Sequence, residues 1–181
     1  MLSRTSSSIS TSSFVSSTLS PQIKEISTQL ISAITQTLEK LIDKNSSLSS
    51  RCSRYKIFNN KTLPEISIHD YIERIYKYTE ISISTLIISL IYTDRFCDNT
   101  NILLTNYNIH RVIFCAVLAS IKFNEDNVFS LKFYAEVAGV KLEELRNLEE
   151  AFFNGTKGSL YVDVKEYEMY HRYLKNYIYK D

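Results

Sequence analysis

From Pro21 onward the apolar positions of this chain recur at intervals of three and four, the repeat that collects side chains on one face of an α-helix. Ile23, Ile26, Leu30, Ile31, Ile34, Leu38 and Leu41 set the first such stripe and predict an amphipathic helix over residues 21–45. The polar run from Ser46 to Asn60, followed by Pro64, reads as a linker over residues 46–66. Ser67 followed by Asp70 then has the form of a capping box, and Ile68, Tyr71, Ile72, Ile75 and Tyr78 continue as one stripe. The segment from Ser84 to Phe96 carries Leu86, Ile87, Ile88, Leu90, Ile91 and Tyr92 around most of a helical wheel, which places it at the centre of a bundle.

The pattern continues beyond that segment. Thr105 is a candidate cap for a helix through Ile109, Val112, Ile113, Ala116, Val117 and Ile121. Its β-branched content would also suit a strand, but its length and the lack of turn signals favour a helix. A shorter helix through Leu131, Phe133, Tyr134 and Val137 stops at Gly139, a natural left-handed C-cap. Glu143 and Glu144 then load the first turn of a fifth helix, with Leu142, Leu145, Leu148, Phe152 and Phe153 on its buried face. Asp163 and Glu166 open a tyrosine-rich helix in residues 163–181 that runs through Leu174. The expectation is an all-α protein: a compact five-helix bundle over residues 67–162, with one helix before it and one after, and no internal repeat.

Composition narrows what such a bundle can do. Residues 1–20 hold thirteen Ser or Thr and no acidic residue, too little apolar surface to offset the entropy of ordering, and are expected to be a disordered tail. A Ser-rich, acid-poor start overlaps organelle transit peptides, but Arg4 as its lone basic residue argues against one. Lys plus Arg number 21 against 20 Asp plus Glu, which gives no electrostatic reason to expect nucleic acid or an acidic membrane as a partner. The longest apolar run, Val112 to Ile121, is too short to span a bilayer, which needs about 20 residues. Cys52, Cys97 and Cys115 are odd in number and widely spaced, as suits reduced thiols inside a cell.

Candidate chemistry is sparse. Gly139, Gly155 and Gly158 lie in no phosphate-cradling pattern. His69, His110 and His171 fall in three different helices, each without a His or Cys at i+3 or i+4, so no metal site is expected. The acidic pairs Glu125–Asp126 and Glu143–Glu144 are adjacent and point apart on a helix, so they make poor acid and base partners. No catalytic residue and no cofactor are expected; the chain reads as a non-enzyme.

Five runs carry a family resemblance: SIHDYIERIYKYTE (Ser67 to Glu80), LIYTDRF (Leu90 to Phe96), LLTNYNIHRV (Leu103 to Val112), LASIKFNED (Leu118 to Asp126) and FYAEVAGVKLEELRNLE (Phe133 to Glu149). In this order, one per predicted helix, they resemble the cyclin box, specifically the single-box cyclins of the phosphate-regulon and plant U/P type. The resemblance implies an all-α cyclin box and a regulatory subunit that binds and activates a cyclin-dependent protein kinase as a heterodimer, by turning the mobile helix of the kinase small lobe. It implies an intracellular, cytoplasmic or nuclear protein.

Carried over by position, Lys122 and Glu149 match the pair with which cyclins grip the kinase, and Phe123, Leu145, Phe152, Phe153 and Leu160 complete the kinase-facing surface. Asp94 matches a structural aspartate that pairs with a basic residue, for which Arg74, Arg95 and Arg111 are the candidates. The chain departs from the family at Glu149 to Val162: Gly158 stands where an anchoring Phe is usual, and Asn154 to Lys157 replace mostly apolar residues. The fifth helix is therefore expected to fray early and the kinase contact to be weakened. The alternative is a cyclin-fold scaffold that assembles proteins without activating a kinase.

Overall fold

The computed structural model describes residues 21–47 and 55–178, so the expected tail over residues 1–20 and Cys52 lie outside the described residues. The described residues are all-helical, in the order α1 (Pro21–Asn45), a 3₁₀ turn (Lys56–Phe58), α2 (Ile68–Thr79), α3 (Ile83–Thr100), α4 (Ile109–Asn124), α5 (Leu131–Ala138), α6 (Leu142–Gly155) and α7 (Val164–Ile178). Small polar side chains start four of these helices. Ser67, Ser82 and Ser130 accept from the backbone N–H of Asp70, Thr85 and Phe133, and Asp163 accepts from that of Glu166 at 2.9 Å. Left-handed residues stop three of them: Glu80, Asn101 and Gly139.

α4 is the centre of the bundle. Ile109, Val112, Ile113, Phe114, Ala116, Val117, Leu118 and Ile121 are all buried, and α2, α3, α5, α6 and the 3₁₀ turn pack around them. α3 is nearly as enclosed, with Leu86, Ile87, Leu90, Ile91, Tyr92 and Phe96 in the core. α1 and α7 pack against each other beside the bundle, α1 also touching α2 and α7 also touching α3.

Where burial differs from the sequence pattern, a neighbouring residue takes the place. In α1 the stripe runs through Ser27, Leu30, Ile34, Leu38 and Ile42, which leaves Ile26 exposed. In α2 it ends on Thr79, and Tyr78 is exposed. Thr105 does not cap α4: its N–H donates to Asn108 Oδ1 at 2.8 Å and its carbonyl accepts from Asn108 and Ile109, a turn that delays the helix to Ile109. The stretch read as linker also feeds the core, because Phe58 is fully buried and its ring centroid lies 5.0 Å from that of Phe96. α6 does not fray early. It continues through Asn154 to Gly155 and closes with Gly158 N–H donating to Phe153 O at 3.2 Å.

Two arginines tie the irregular segments to this bundle in the same way. Arg95 of α3 donates from Nη1 to the carbonyls of Ser159 and Tyr161, at 2.8 and 2.9 Å, and from Nη2 to Glu166 Oε2 at 2.6 Å. Arg111 of α4 donates from Nη1 to the carbonyls of Ile57 and Asn59, at 2.8 and 3.2 Å, and pairs through Nη2 with Glu144. In each case a carboxylate anchors one arm of the guanidinium fork while the other arm holds two carbonyls of a segment whose own backbone bonds are confined to local turns.

Candidate functional site

The second half of α4 and the length of α6 enclose a surface groove of about 530 Å³, closed on one side by Leu160 in the segment that follows α6. Cys115, Ala119, Lys122 and Phe123 enter it from α4 at steps of four, three and one, which keeps them on one face. Arg146, Glu149, Glu150 and Phe153 enter from α6 at the same kind of spacing. The floor is buried Cys115 and Phe152, and the walls are Phe123 and Phe153, 55% and 53% exposed. Large aromatic side chains half open to solvent beside an apolar floor form the kind of patch that marks interaction sites and ligand-binding grooves. Lys122 and Glu149 are ion-paired with each other across the mouth.

Six of the seven residues named from the resemblance therefore line one groove: Lys122, Phe123, Glu149, Phe152, Phe153 and Leu160. Leu145 does not. It is 0% exposed and borders a smaller cavity of about 270 Å³ together with Tyr71, His110 and Arg111. The cause is rotational: Leu145, Leu148 and Phe152 form the core stripe of α6, and the groove stripe of Arg146, Glu149, Glu150 and Phe153 lies one residue, about 100°, further round. Phe152 belongs to both, but with 1% exposure and its ring stacked on Phe96 at 4.8 Å it supports the floor from below and leaves a partner almost nothing to cover. Phe153, placed on the buried face by the sequence pattern, stands out of it.

Among the described residues Asp94 is not paired with a basic one. Its Oδ2 accepts from the Tyr170 hydroxyl at 2.6 Å, because each candidate cation is engaged elsewhere: Arg95 and Arg111 in the clamps above, and Arg74 with the Glu136 carbonyl at 3.0 Å. Burial pushes the Asp94 carboxyl above the usual carboxylate range, against the bond from Tyr170, and Asp98 nearby adds to the rise. Gly158 sits at φ +67°, a left-handed conformation that a Phe would adopt only under strain, and it lies beside the Phe153 ring outside the groove lining. Leu160, two residues on, fills the groove wall.

Neither described thiol is a ready nucleophile. Burial, then Asp94 and Asp98, push Cys97 up to about 12, and burial with Glu149 nearby pushes Cys115 higher still. His69, Asp70 and Glu73 bring ligand atoms within 4.8 Å of one another at the start of α2, a grouping that His and Cys spacing does not flag because the residue at i+4 from His69 is Glu73. Two of the three are exposed and carry no second feature of a metal site. Among the described residues no helix is long and apolar enough to cross a membrane.

Glu125, read from the sequence only as half of an adjacent acidic pair, has a structural role. Its Oε1 accepts from Ser82 N–H at 3.0 Å and from the Thr85 hydroxyl, so it joins the end of α4 to the start of α3 and steadies the helix that carries Lys122 and Phe123. Its one visible signal is its position immediately after α4.

Among the described residues the fold is an all-helical box, and its α4–α6 groove has an apolar floor, half-exposed aromatic walls and the Lys122–Glu149 ion pair at its mouth. The cyclin family model matches residues 5–157, and the chain belongs to the cyclin family. It is 37% identical to Cyclin-U4-2 of Arabidopsis thaliana over 81% of this chain and 69% of that one. It is 34% identical to Cyclin-U4-3 of Arabidopsis thaliana over 87% and 72%, and 33% identical to Cyclin-P3-1 of Oryza sativa subsp. japonica over 73% and 54%.

Proposed function

We propose that this chain is the regulatory subunit of a cyclin-dependent protein kinase, which it binds through the α4–α6 groove and activates without contributing a catalytic group. The observation that carries this reading is the placing of Lys122, Phe123, Glu149, Phe153 and Leu160 around one groove of about 530 Å³. Exposed aromatics over an apolar floor supply binding area, and the charged pair fixes the register of the docked helix. Such a contact biases the kinase between two arrangements of its mobile helix, and the cyclin shifts that equilibrium by its preference for the active one. The complex is a heterodimer inside the cell, a setting that agrees with the protonated, unbridged thiols of Cys97 and Cys115.

The test is affinity capture from a cell lysate with the full chain as bait, followed by identification of co-purifying kinases and an assay of each recovered kinase on a generic protein substrate with and without the chain. A single cyclin-dependent kinase that is recovered and stimulated supports the proposal. Recovery of a kinase without stimulation, or recovery of other proteins only, replaces it with the scaffold reading.

A further inference from the structure

We propose that Tyr92 and Arg95 of α3 are positioning residues for the groove: they hold Leu160 in place as its wall, and through Leu160 they set the affinity for the partner without touching it. The inference rests on the kinase-facing reading of the groove and adds to it a part that lies on the far side of the wall.

The segment Ser159 to Val162 joins α6 to α7 with little of its own to fix it. Its backbone bonds are local, Ser159 N–H to Thr156 O and Leu160 N–H to Gly158 O, both at 3.0 Å and both belonging to the turn that ends α6. Nor does burial pin it: Tyr161 is 75% exposed, and Leu160 and Val162 are only partly covered. What holds it is α3. The carbonyls of three successive residues are each taken by an α3 side chain, Ser159 and Tyr161 by Arg95 and Leu160 by the Tyr92 hydroxyl. Tyr92 and Arg95 are three residues apart and so share one face of the helix.

The first and third carbonyls are held by one residue and the middle one by the other. A segment caught this way can neither slide nor turn over, and the Leu160 side chain is presented to the groove in one orientation. Both donors are dependable. Arg95 is anchored by Glu166, and burial raises the Tyr92 phenol so that it keeps its proton. The chain also supplies a control, because Arg111 makes the same set of bonds to Ile57, Asn59 and Glu144 away from the groove.

The experiment compares the full chain with Tyr92→Phe, Arg95→Gln, Arg111→Gln, Leu160→Ala and the Arg95→Gln/Leu160→Ala double variant, by hydrogen exchange and by calorimetry against the kinase recovered with the wild type. Arg95→Gln is expected to speed amide exchange across residues 158–162 by about tenfold, while Arg111→Gln speeds it around residues 56–60 instead. The kinase dissociation constant should rise about tenfold with Arg95→Gln and less with Tyr92→Phe, and stay within about twofold with Arg111→Gln. If Arg95 acts through Leu160, the double variant binds no worse than the weaker-binding of its two parents; a purely structural role would make the two losses add. Additive losses, an equal loss with Arg111→Gln, or a loosened segment with unchanged affinity overturns the proposal. If the wild type recovers no kinase, the functional reading beneath it fails. The positioning role is then decided by exchange alone, and unchanged exchange at residues 158–162 in Arg95→Gln rejects it.

Discussion

The Tyr170 hydroxyl of α7 donates to Asp94 of α3 at 2.6 Å and is the partner this carboxylate has in place of a cation. The bond joins α7 to α3 beside the Arg95 clamp, so consecutive residues of α3 both reach α7. Tyr170→Phe removes the donor and leaves a largely desolvated carboxylate without it, a loss worth about 1–3 kcal/mol in urea unfolding. Asp94→Asn keeps an acceptor for the hydroxyl and removes a charge that burial already disfavours, so it should cost less than Tyr170→Phe. The reverse order would show that the negative charge itself matters.

Gly155 of α6 lies tightly against α3. A Cβ built there would lie 2.4 and 2.6 Å from two carbons of the Phe96 ring and 3.0 Å from the Thr100 methyl. Phe96 cannot swing aside cheaply, since Phe58, Tyr55 and Phe152 surround it. Gly155→Ala should therefore destabilise by overpacking, by about 1–3 kcal/mol in thermal or denaturant unfolding. An unchanged or raised melting temperature would mean that the α3–α6 spacing is looser than these distances indicate.

His110 should give the fold an acid-sensitive step. Its Nε2 lies 3.0 Å from the Ile66 carbonyl, which can only accept, so the neutral ring carries its proton there and leaves Nδ1 buried without a partner. Protonation would add an N–H at Nδ1 with nothing to receive it. Burial accordingly lowers the imidazole pKa, against the pull of backbone groups at Ile66 and Ser67. The unfolded chain takes up this proton near pH 6.5 and the folded chain only at lower pH, so the unfolded state binds more protons below about pH 6.5 and stability is lost as pH falls through that window. His110→Gln can still donate to Ile66, and it should flatten the fall in urea midpoint between about pH 7 and pH 5.5. His171, also lowered by burial and by Lys175, keeps its own share in both proteins. Parallel pH profiles for wild type and variant would exclude His110 as the source.

α2 and α5 were the most legible because each announced itself twice, by a stripe and by an end signal, Ser67 before Ile68 and Gly139 after Ala138. Rotation was harder to read. Ile26 against Ser27, Tyr78 against Thr79 and Leu145 against Arg146 are choices one residue apart, and one residue turns a helix by about 100°. Which of two neighbours faces inward is decided by the helices packed alongside, not by its own segment. The partner of Asp94 was beyond reach for the same reason, since it depends on where α7 lands 76 residues later. The groove residues came from family resemblance rather than periodicity, because an exposed Phe123 and a buried Phe114 look alike in a stripe.

The ion pair between Lys122 and Glu149 allows the interface to be tested apart from the fold. The two residues come from α4 and α6 and are 27 positions apart, with side chains 42% and 28% exposed. At that exposure a pair contributes about 0–1 kcal/mol to stability, so Lys122→Glu and Glu149→Lys should each fold and melt close to wild type. Binding is a different matter if both side chains also bond to the kinase backbone, since removing one partner of a desolvated polar contact costs about 2–5 kcal/mol and reversal at least as much. Each single reversal is therefore expected to take the kinase complex out of calorimetric range. The double variant, Lys122→Glu with Glu149→Lys, restores the internal pair with the charges exchanged. It should regain any stability lost in the singles and none of the binding, because a carboxylate now faces groups chosen for an ammonium, and an ammonium faces groups chosen for a carboxylate. Recovery of binding in the double variant would show that the pair works only within the chain, by holding α4 and α6 at the right separation, and that the aromatic walls Phe123 and Phe153 carry the contact.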